Sequence, residues 1–244
     1  MSQRAAEVLA ECDMVAGYTK YIDLIRDLIP NKQIISTGMT REVDRVESAI
    51  QTSLQGNSCA IVSSGDPGIY AMAGLVFEIC REKEIPLVSH RIDTGTAGLL
   101  VEVVPGIPAL SSGAALLGAP LMHDFAAISL SDLLTPWETI EKRLQAAARA
   151  DFVIVIYNPK SKKRDWQLDK ARQIALEHRP GQTPVGIVTD AMRENESVVI
   201  TTLADLNKAE VDMLTTVFIG NSNTFTHDGF MITPRGYADK YDLK

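Results

Sequence analysis

Four stretches of this 244-residue chain set glycine, hydroxyl, carboxylate or basic groups directly after short apolar runs. That is where loops leaving the strands of an open α/β sheet meet ligands. The first is Ser63-Ser64-Gly65-Asp66-Pro67-Gly68-Ile69-Tyr70. Gly65 and Gly68 let backbone approach a ligand closely, and Asp66 with Pro67 reads as the cap and first position of a helix from Ile69. A plain capped turn has the same residues, and such a turn also presents backbone groups to a small molecule. With neither G-x-x-x-x-G-K nor G-x-G-x-x-G, a phosphate cradle is disfavoured. The second stretch, Val103-Val104-Pro105-Gly106-Ile107-Pro108-Ala109-Leu110-Ser111-Ser112-Gly113-Ala114-Ala115, leads into a helix of small residues, which suits either close packing or a pocket wall.

The third stretch, Tyr157-Asn158-Pro159-Lys160-Ser161-Lys162-Lys163-Arg164, carries four basic groups where a helix should begin. A helix N-terminus already holds partial positive charge, so an anionic partner would relieve this placement. A solvated charge run is the alternative. The fourth runs from Phe125 to Trp137. Thr135 and Glu138 read as a capping box around Pro136. Capping leaves Ser129, Ser131 and Asp132 unexplained.

The elements that would position these groups follow from periodicity. Residues 59–62, 99–104, 152–156 and 185–188 are apolar runs suited to strands of a parallel sheet covered on both faces. Residues 197–201 and 215–219 read as further strands closing the sheet in antiparallel fashion. Amphipathic helices are expected over 2–12, 41–54, 69–81, 108–117, 137–148 and 164–178. In 41–54 the inward face is Val43, Val46, Ala49, Ile50 and Leu54, and the outward face includes Arg45. Gly56 then supplies a stop. This alternation predicts an α/β protein. Pro120, after a small-residue helix, suggests two domains, 1–120 and 121–244. Residues 234–244 read as loosely held surface chain.

Composition narrows the function classes. The net charge of −7 supplies no global field for nucleic acid or an anionic membrane. No run of about 18 apolar residues and no basic-then-apolar leader is present, so the protein is expected in the cytoplasm. Cys12, Cys59 and Cys80 are odd in number and lack C-x-x-C spacing, which reads as reduced core thiols. His90, His123, His178 and His227 are scattered, and no metal site is expected.

At these residues the chain resembles the tetrapyrrole methylases, and within them the precorrin-3B C(17)-methyltransferase family of cobalamin biosynthesis. The resemblance runs end to end. It rests on Ser64-Gly65-Asp66-Pro67-Gly68-Ile69-Tyr70, Val104-Pro105-Gly106-Ile107-Pro108-Ala109, Ile128-Ser129-Leu130-Ser131-Asp132-Leu133-Leu134-Thr135-Pro136-Trp137, Tyr157-Asn158-Pro159 and Thr216-Val217-Phe218-Ile219-Gly220-Asn221. It implies two α/β domains with a cleft between them, a homodimer, S-adenosylmethionine as methyl donor and a precorrin as acceptor, methylated at carbon 17 with ring contraction.

The resemblance further puts the donor against Ser64, Gly65, Asp66, Ile69, Pro108 and Ala109, with Asn158 and Ala191 beside the adenosine. Ser131, Lys160, Lys163 and Arg164 would face the acceptor and its carboxylates. Asp132 with Ser129 is assigned the proton movement that ring contraction requires. The family's opening strand and glycine-rich loop have no counterpart ahead of Ser2, so the first sheet is expected one strand poorer. The segment 89–98 is longer than the usual connection. Two other readings stay open: a methylase of the same superfamily acting on another ring carbon or on a protein or RNA, and a non-catalytic binding module.

Overall fold

The computed structural model describes residues 1–89, 95, 97–161 and 164–242. By internal contacts the chain divides into two compact units, Met1–Pro108 and Ala109–Lys244. The boundary thus moves from the expected residue 120 to 108, because the small-residue helix packs with the C-terminal unit.

The first unit opens with helix α1 (Gln3–Glu11), capped by Ser2, whose Oγ accepts from the Ala5 amide at 3.3 Å. Then follow strand β1 (Met14–Tyr18), the short α2 (Thr19–Asp23), β2 (Gln33–Thr37), α3 (Glu42–Leu54), β3 (Cys59–Val62), α4 (Ala73–Glu82), β4 (Leu87–Val88) and β5 (Leu99–Leu100). Three strands form a parallel sheet in the order β2-β1-β3, and β4 and β5 form a separate parallel pair. The strand expected over 99–104 therefore stops at Leu100. Leu9, Cys12, Val15, Ile22 and Ile29 make one core cluster, while Val46 and Ile50 of α3 meet Ile79 and Cys80 of α4 in another.

Three face assignments in α3 are corrected. Val43 and Leu54 are half exposed, whereas Arg45 is buried. Its Nε donates to Thr37 Oγ1 at 2.9 Å and its Nη2 to the Gly38 carbonyl at 3.1 Å, so the guanidinium braces the end of β2. The helix stops where expected, with Gly56 at φ +92°.

The second unit comprises α5 (Ala109–Leu117), β6 (Gly118–Ala119), β7 (Phe125–Ser129), α6 (Trp137–Arg149), β8 (Val153–Tyr157), α7 (Gln167–Leu176), β9 (Pro184–Thr189), β10 (Ser197–Thr202), β11 (Thr215–Ile219), β12 (Phe225–His227), β13 (Phe230–Ile232) and α8 (Tyr237–Lys240). Its main sheet has the order β10-β9-β11-β8-β7. β7 and β8 are parallel, and β11 is antiparallel to both β8 and β9, so β7, β8 and β9 end at one edge. One face, with Ile154, Ile156, Val185 and Val217, packs on Ile140 and Leu144 of α6 and on Ala171 and Ile174 of α7. The other, with Val155, Val188 and Phe218, packs on Leu117.

The small residues of α5 serve that packing. A Cβ on Gly113 would lie 2.8 Å from the Phe218 ring, so the helix approaches the sheet as closely as glycine permits. β12 and β13 form a hairpin joined to β6, and beyond it residues 237–242, including the short α8, are exposed. α6 begins with Pro136 as its cap residue and no side-chain cap bond, so Thr135 and Glu138 do not form the expected box.

Arg179, after α7, is buried and donates to the carbonyls of Gly220 and Phe152, tying the end of β11 to the entry of β8. Burial holds its pKa below the ordinary arginine value, with Asp151 acting the opposite way. Arg179→Met would leave two carbonyls without their donor, a cost of about 1–3 kcal/mol for each. A lower urea midpoint with unchanged m-value is the expected result, and an unchanged midpoint would contradict this account.

Candidate functional site

In the first unit the site is a knot between two loops. β3 runs into residues 63–72, and the helix expected from Ile69 begins only at Ala73. Asp66 is therefore not its cap. Instead its Oδ1 accepts from the Gly68 amide at 2.8 Å, closing a local turn, and its Oδ2 accepts from the Gly106 amide at 2.9 Å. Gly65 sits at φ +79° and Tyr70 at φ +52°, both outside helical geometry. The second loop comes so near that a Cβ on Gly106 would fall 1.9 Å from the Gly65 carbonyl oxygen. Ser64, Ile69 and Pro108 are partly exposed around this knot.

The second loop is held from behind by α1. Ser2 Oγ donates to the Pro105 carbonyl at 3.0 Å, and Arg4 forks onto Glu102 at 2.9 and 2.7 Å. Glu102 raises the pKa of Arg4. No basic residue lies in 63–70 or 103–108, so the knot offers carbonyls and one carboxylate.

In the second unit the chemistry-bearing residues gather where β7 and β8 end. Ser129, the last residue of β7, accepts from Asn158 Nδ2 at 3.0 Å and from the Ser131 amide at 3.2 Å. With both lone pairs engaged, its O–H is left as a donor. Asn158 follows β8 at φ +50°, and its carbonyl accepts from Arg164 Nη2 at 2.9 Å. Arg164 Nη1 reaches Ser131 Oγ at 3.4 Å. Asp132 is exposed, and its Oδ2 accepts from Gln167 Nε2 at 2.9 Å. Ser129, Ser131, Asn158 and Arg164 thus form one hydrogen-bonded network, and the Asp132–Gln167 pair is a separate bond next to it in sequence.

The basic loop differs from expectation. Lys160 is exposed, but Ser161 and Arg164 bond each other's backbone, and Arg164 turns inward to 9% exposure. Lys163 and most of segment 89–98 lie outside the described residues. Ala109 opens α5, where the Leu110 amide donates to the Tyr157 hydroxyl at 2.8 Å. Ala191 follows β9 between Asp190 and Met192, which have φ +48° and +61°.

Sequence reasoning missed two groups, the Tyr157 hydroxyl and Gln167. The latter had a signal: Gln167 heads the stripe Leu168, Ala171, Ile174 and Ala175, a polar residue at a core position. Burial pushes the thiols of Cys12 and Cys80 up and that of Cys59 up to about 11, so at neutral pH they are protonated core groups. Among the described residues, no three or more His, Cys, Asp or Glu are grouped to hold a metal ion, and no helix is long and apolar enough to cross a membrane.

The family model described as Tetrapyrrole (Corrin/Porphyrin) Methylases matches residues 1–207. A curated relative, "Cobalt-factor III methyltransferase" of Priestia megaterium, is 52% identical over 243 residues, covering 100% of this chain and 44% of that protein, so the chain spans less than half of that relative. Another, "Probable cobalt-factor III C(17)-methyltransferase" of Salmonella typhimurium, is 45% identical over 238 residues, covering 98% of this chain and 94% of that one. Among solved structures, "Crystal structure of the methyltransferase CobJ" superimposes with a TM-score of 0.83 at 33% identity, covering 96% of this chain and 93% of that chain.

Proposed function

The chain belongs to the tetrapyrrole (corrin/porphyrin) methylases, and from that premise we propose that it transfers a methyl group from S-adenosylmethionine to ring carbon 17 of a cobalt-bearing precorrin, with contraction of the macrocycle. The observation that carries this reading is the 45% identity to the Salmonella C(17)-methyltransferase over almost the whole of both chains. Cobalt here belongs to the substrate.

The first-unit knot fits the donor. A sulfonium is a cation, and the loops around Gly65 and Gly106 present carbonyl dipoles and the Asp66 carboxylate with no competing positive charge. Within this unit Ser64, Gly65, Asp66, Ile69 and Pro108 hold it. The donor supplies an electrophilic methyl group, so the chain needs no nucleophile of its own. What its residues contribute is orientation and exclusion of water.

The second-unit network serves the acceptor. Ser131 and Lys160 meet its carboxylates, with Lys163 assigned beside them, while the inward-turned Arg164 holds Ser131 and the Asn158 carbonyl in place. Ser129 offers its O–H, and Asp132 holds or takes a proton as the ring contracts.

Adding S-adenosylmethionine to the pure protein at about 100 times its dissociation constant is expected to stabilise the fold by about 2.7 kcal/mol, read as a higher melting temperature. Incubation with donor and the cobalt-bearing acceptor is expected to yield one added methyl group by mass spectrometry. Conversion of only the metal-free acceptor would overturn the cobalt assignment, and absence of both the thermal shift and the product would overturn the reaction.

A further inference from the structure

We propose that Gln167 is a positioning residue for Asp132: it fixes one carboxylate oxygen so that the other is presented to the acceptor, an inference that rests on the function proposed above. Gln167 is 2% exposed, and its Nε2 donates to Asp132 Oδ2 at 2.9 Å. Its Oε1 is shut off from solvent and has no hydrogen-bond partner among the described residues. A buried amide left half satisfied is a cost to the fold, and a leucine or methionine would fill the space without it. The surrounding positions Leu168, Ala171, Ile174 and Ala175 are already apolar. What the amide provides in return is one donor aimed at an exposed carboxylate.

The arrangement separates the two oxygens of Asp132. Oδ2 is tethered from within the unit, while no hydrogen bond holds Oδ1 among the described residues, and Asp132 faces solvent. A free aspartate at a strand end would sample several rotamers. One tethered through a buried helix residue presents Oδ1 in a single direction, which general acid–base work requires. When a substrate O–H or C–H bond breaks, its proton goes to Oδ1 and its electron pair stays on the substrate. The carboxylic acid then returns the proton to water.

The neighbouring Arg164 strengthens the case for a functional rather than structural cluster. It too is nearly buried, and its Nε also lacks a hydrogen-bond partner among the described residues. Two such half-satisfied side chains three positions apart, both leaning on the loop 129–132, mark a segment whose polar residues are held for the loop and not for the core.

The test is a double-mutant cycle of Gln167→Met with Asp132→Asn, measured with S-adenosylmethionine and the cobalt-bearing acceptor. Gln167→Met is expected to lower kcat by about 10-fold or more, with KM for the donor unchanged and the melting temperature equal or higher. The double variant is expected to match Asp132→Asn alone, because Gln167 acts only through that carboxylate. Gln167→Leu lacks the donor in the same way, and should lose kcat likewise if the methionine variant proves unstable. Wild-type kcat in both Gln167 variants, or losses that multiply in the double variant, would overturn the assignment while leaving the reaction standing. A wild-type enzyme that methylates neither acceptor would overturn the reaction and this role with it.

Discussion

Gly106→Ala is expected to abolish the thermal shift that S-adenosylmethionine gives the wild-type protein. The added methyl would lie 1.9 Å from the Gly65 oxygen, 2.9 Å from the Gly65 carbonyl carbon and 3.1 Å from the Asp66 Cα. All three are backbone atoms, so no side chain can swing aside, and one loop must move as a body. That movement breaks the 2.9 Å bond from the Gly106 amide to Asp66 and turns the carbonyls presented by residues 64–66 away from their present directions. Overpacking of this kind costs about 1–3 kcal/mol of stability. A displacement of about 1 Å at a reacting centre costs on the order of 100-fold in rate, and donor affinity should fall with it. Gly38→Ala is the control: its added methyl would meet nothing within 4 Å, so both melting temperature and donor binding should stay at wild-type values. Titration calorimetry with S-adenosylmethionine decides the matter, and a Gly106→Ala protein that binds the donor like wild type would remove the knot from the site.

That knot also shows where the sequence stops being informative. Strands β3 and β11 and helix α3 were legible because each carries its own apolar run or stripe over residues 59–62, 215–219 and 42–54. β1 was not. Its Gly17 looks like a strand breaker, yet a Cβ there would fall 2.6 Å from Val62 and 2.9 Å from Ile22, so glycine is set by neighbours distant in sequence. β2 is an edge strand with exposed positions and no continuous apolar run. The start of α4 was misjudged because Asp-Pro normally announces a helix, whereas this carboxylate is spent on an amide 40 residues away. Arg45 looked like an outward charge for the same reason: its partners, Thr37 and Gly38, lie at the end of another strand. The motifs at 63–70, 103–109, 125–137 and 157–164 could be found by residue type and spacing. Which side chains of 125–137 and 157–164 bond each other depends on the strand order β11-β8-β7, and no local pattern encodes that order.

Asp132→Asn is expected to lower kcat for the complete conversion by about 100- to 10,000-fold, the range over which one well-placed proton-transfer group acts. Asparagine has the same shape and can still accept from Gln167 Nε2 through its amide oxygen, so the loop 129–132 keeps its bonds to Asn158 and Arg164. Because Asp132 is exposed, the substitution should change stability by no more than about 0.5 kcal/mol. The donor-induced thermal shift should be untouched, since the donor is assigned to other residues. The lost activity is therefore chemical. Methyl addition is read by mass and contraction by the absorption spectrum, since contraction changes the conjugated path. If Asp132 serves contraction alone, the variant accumulates a methylated, uncontracted macrocycle. If it also serves methyl transfer, neither change is seen on the wild-type timescale. An Asp132→Asn enzyme turning over within about threefold of wild type would leave Ser129, whose O–H is oriented by Asn158 and the Ser131 amide, as the remaining candidate for the proton.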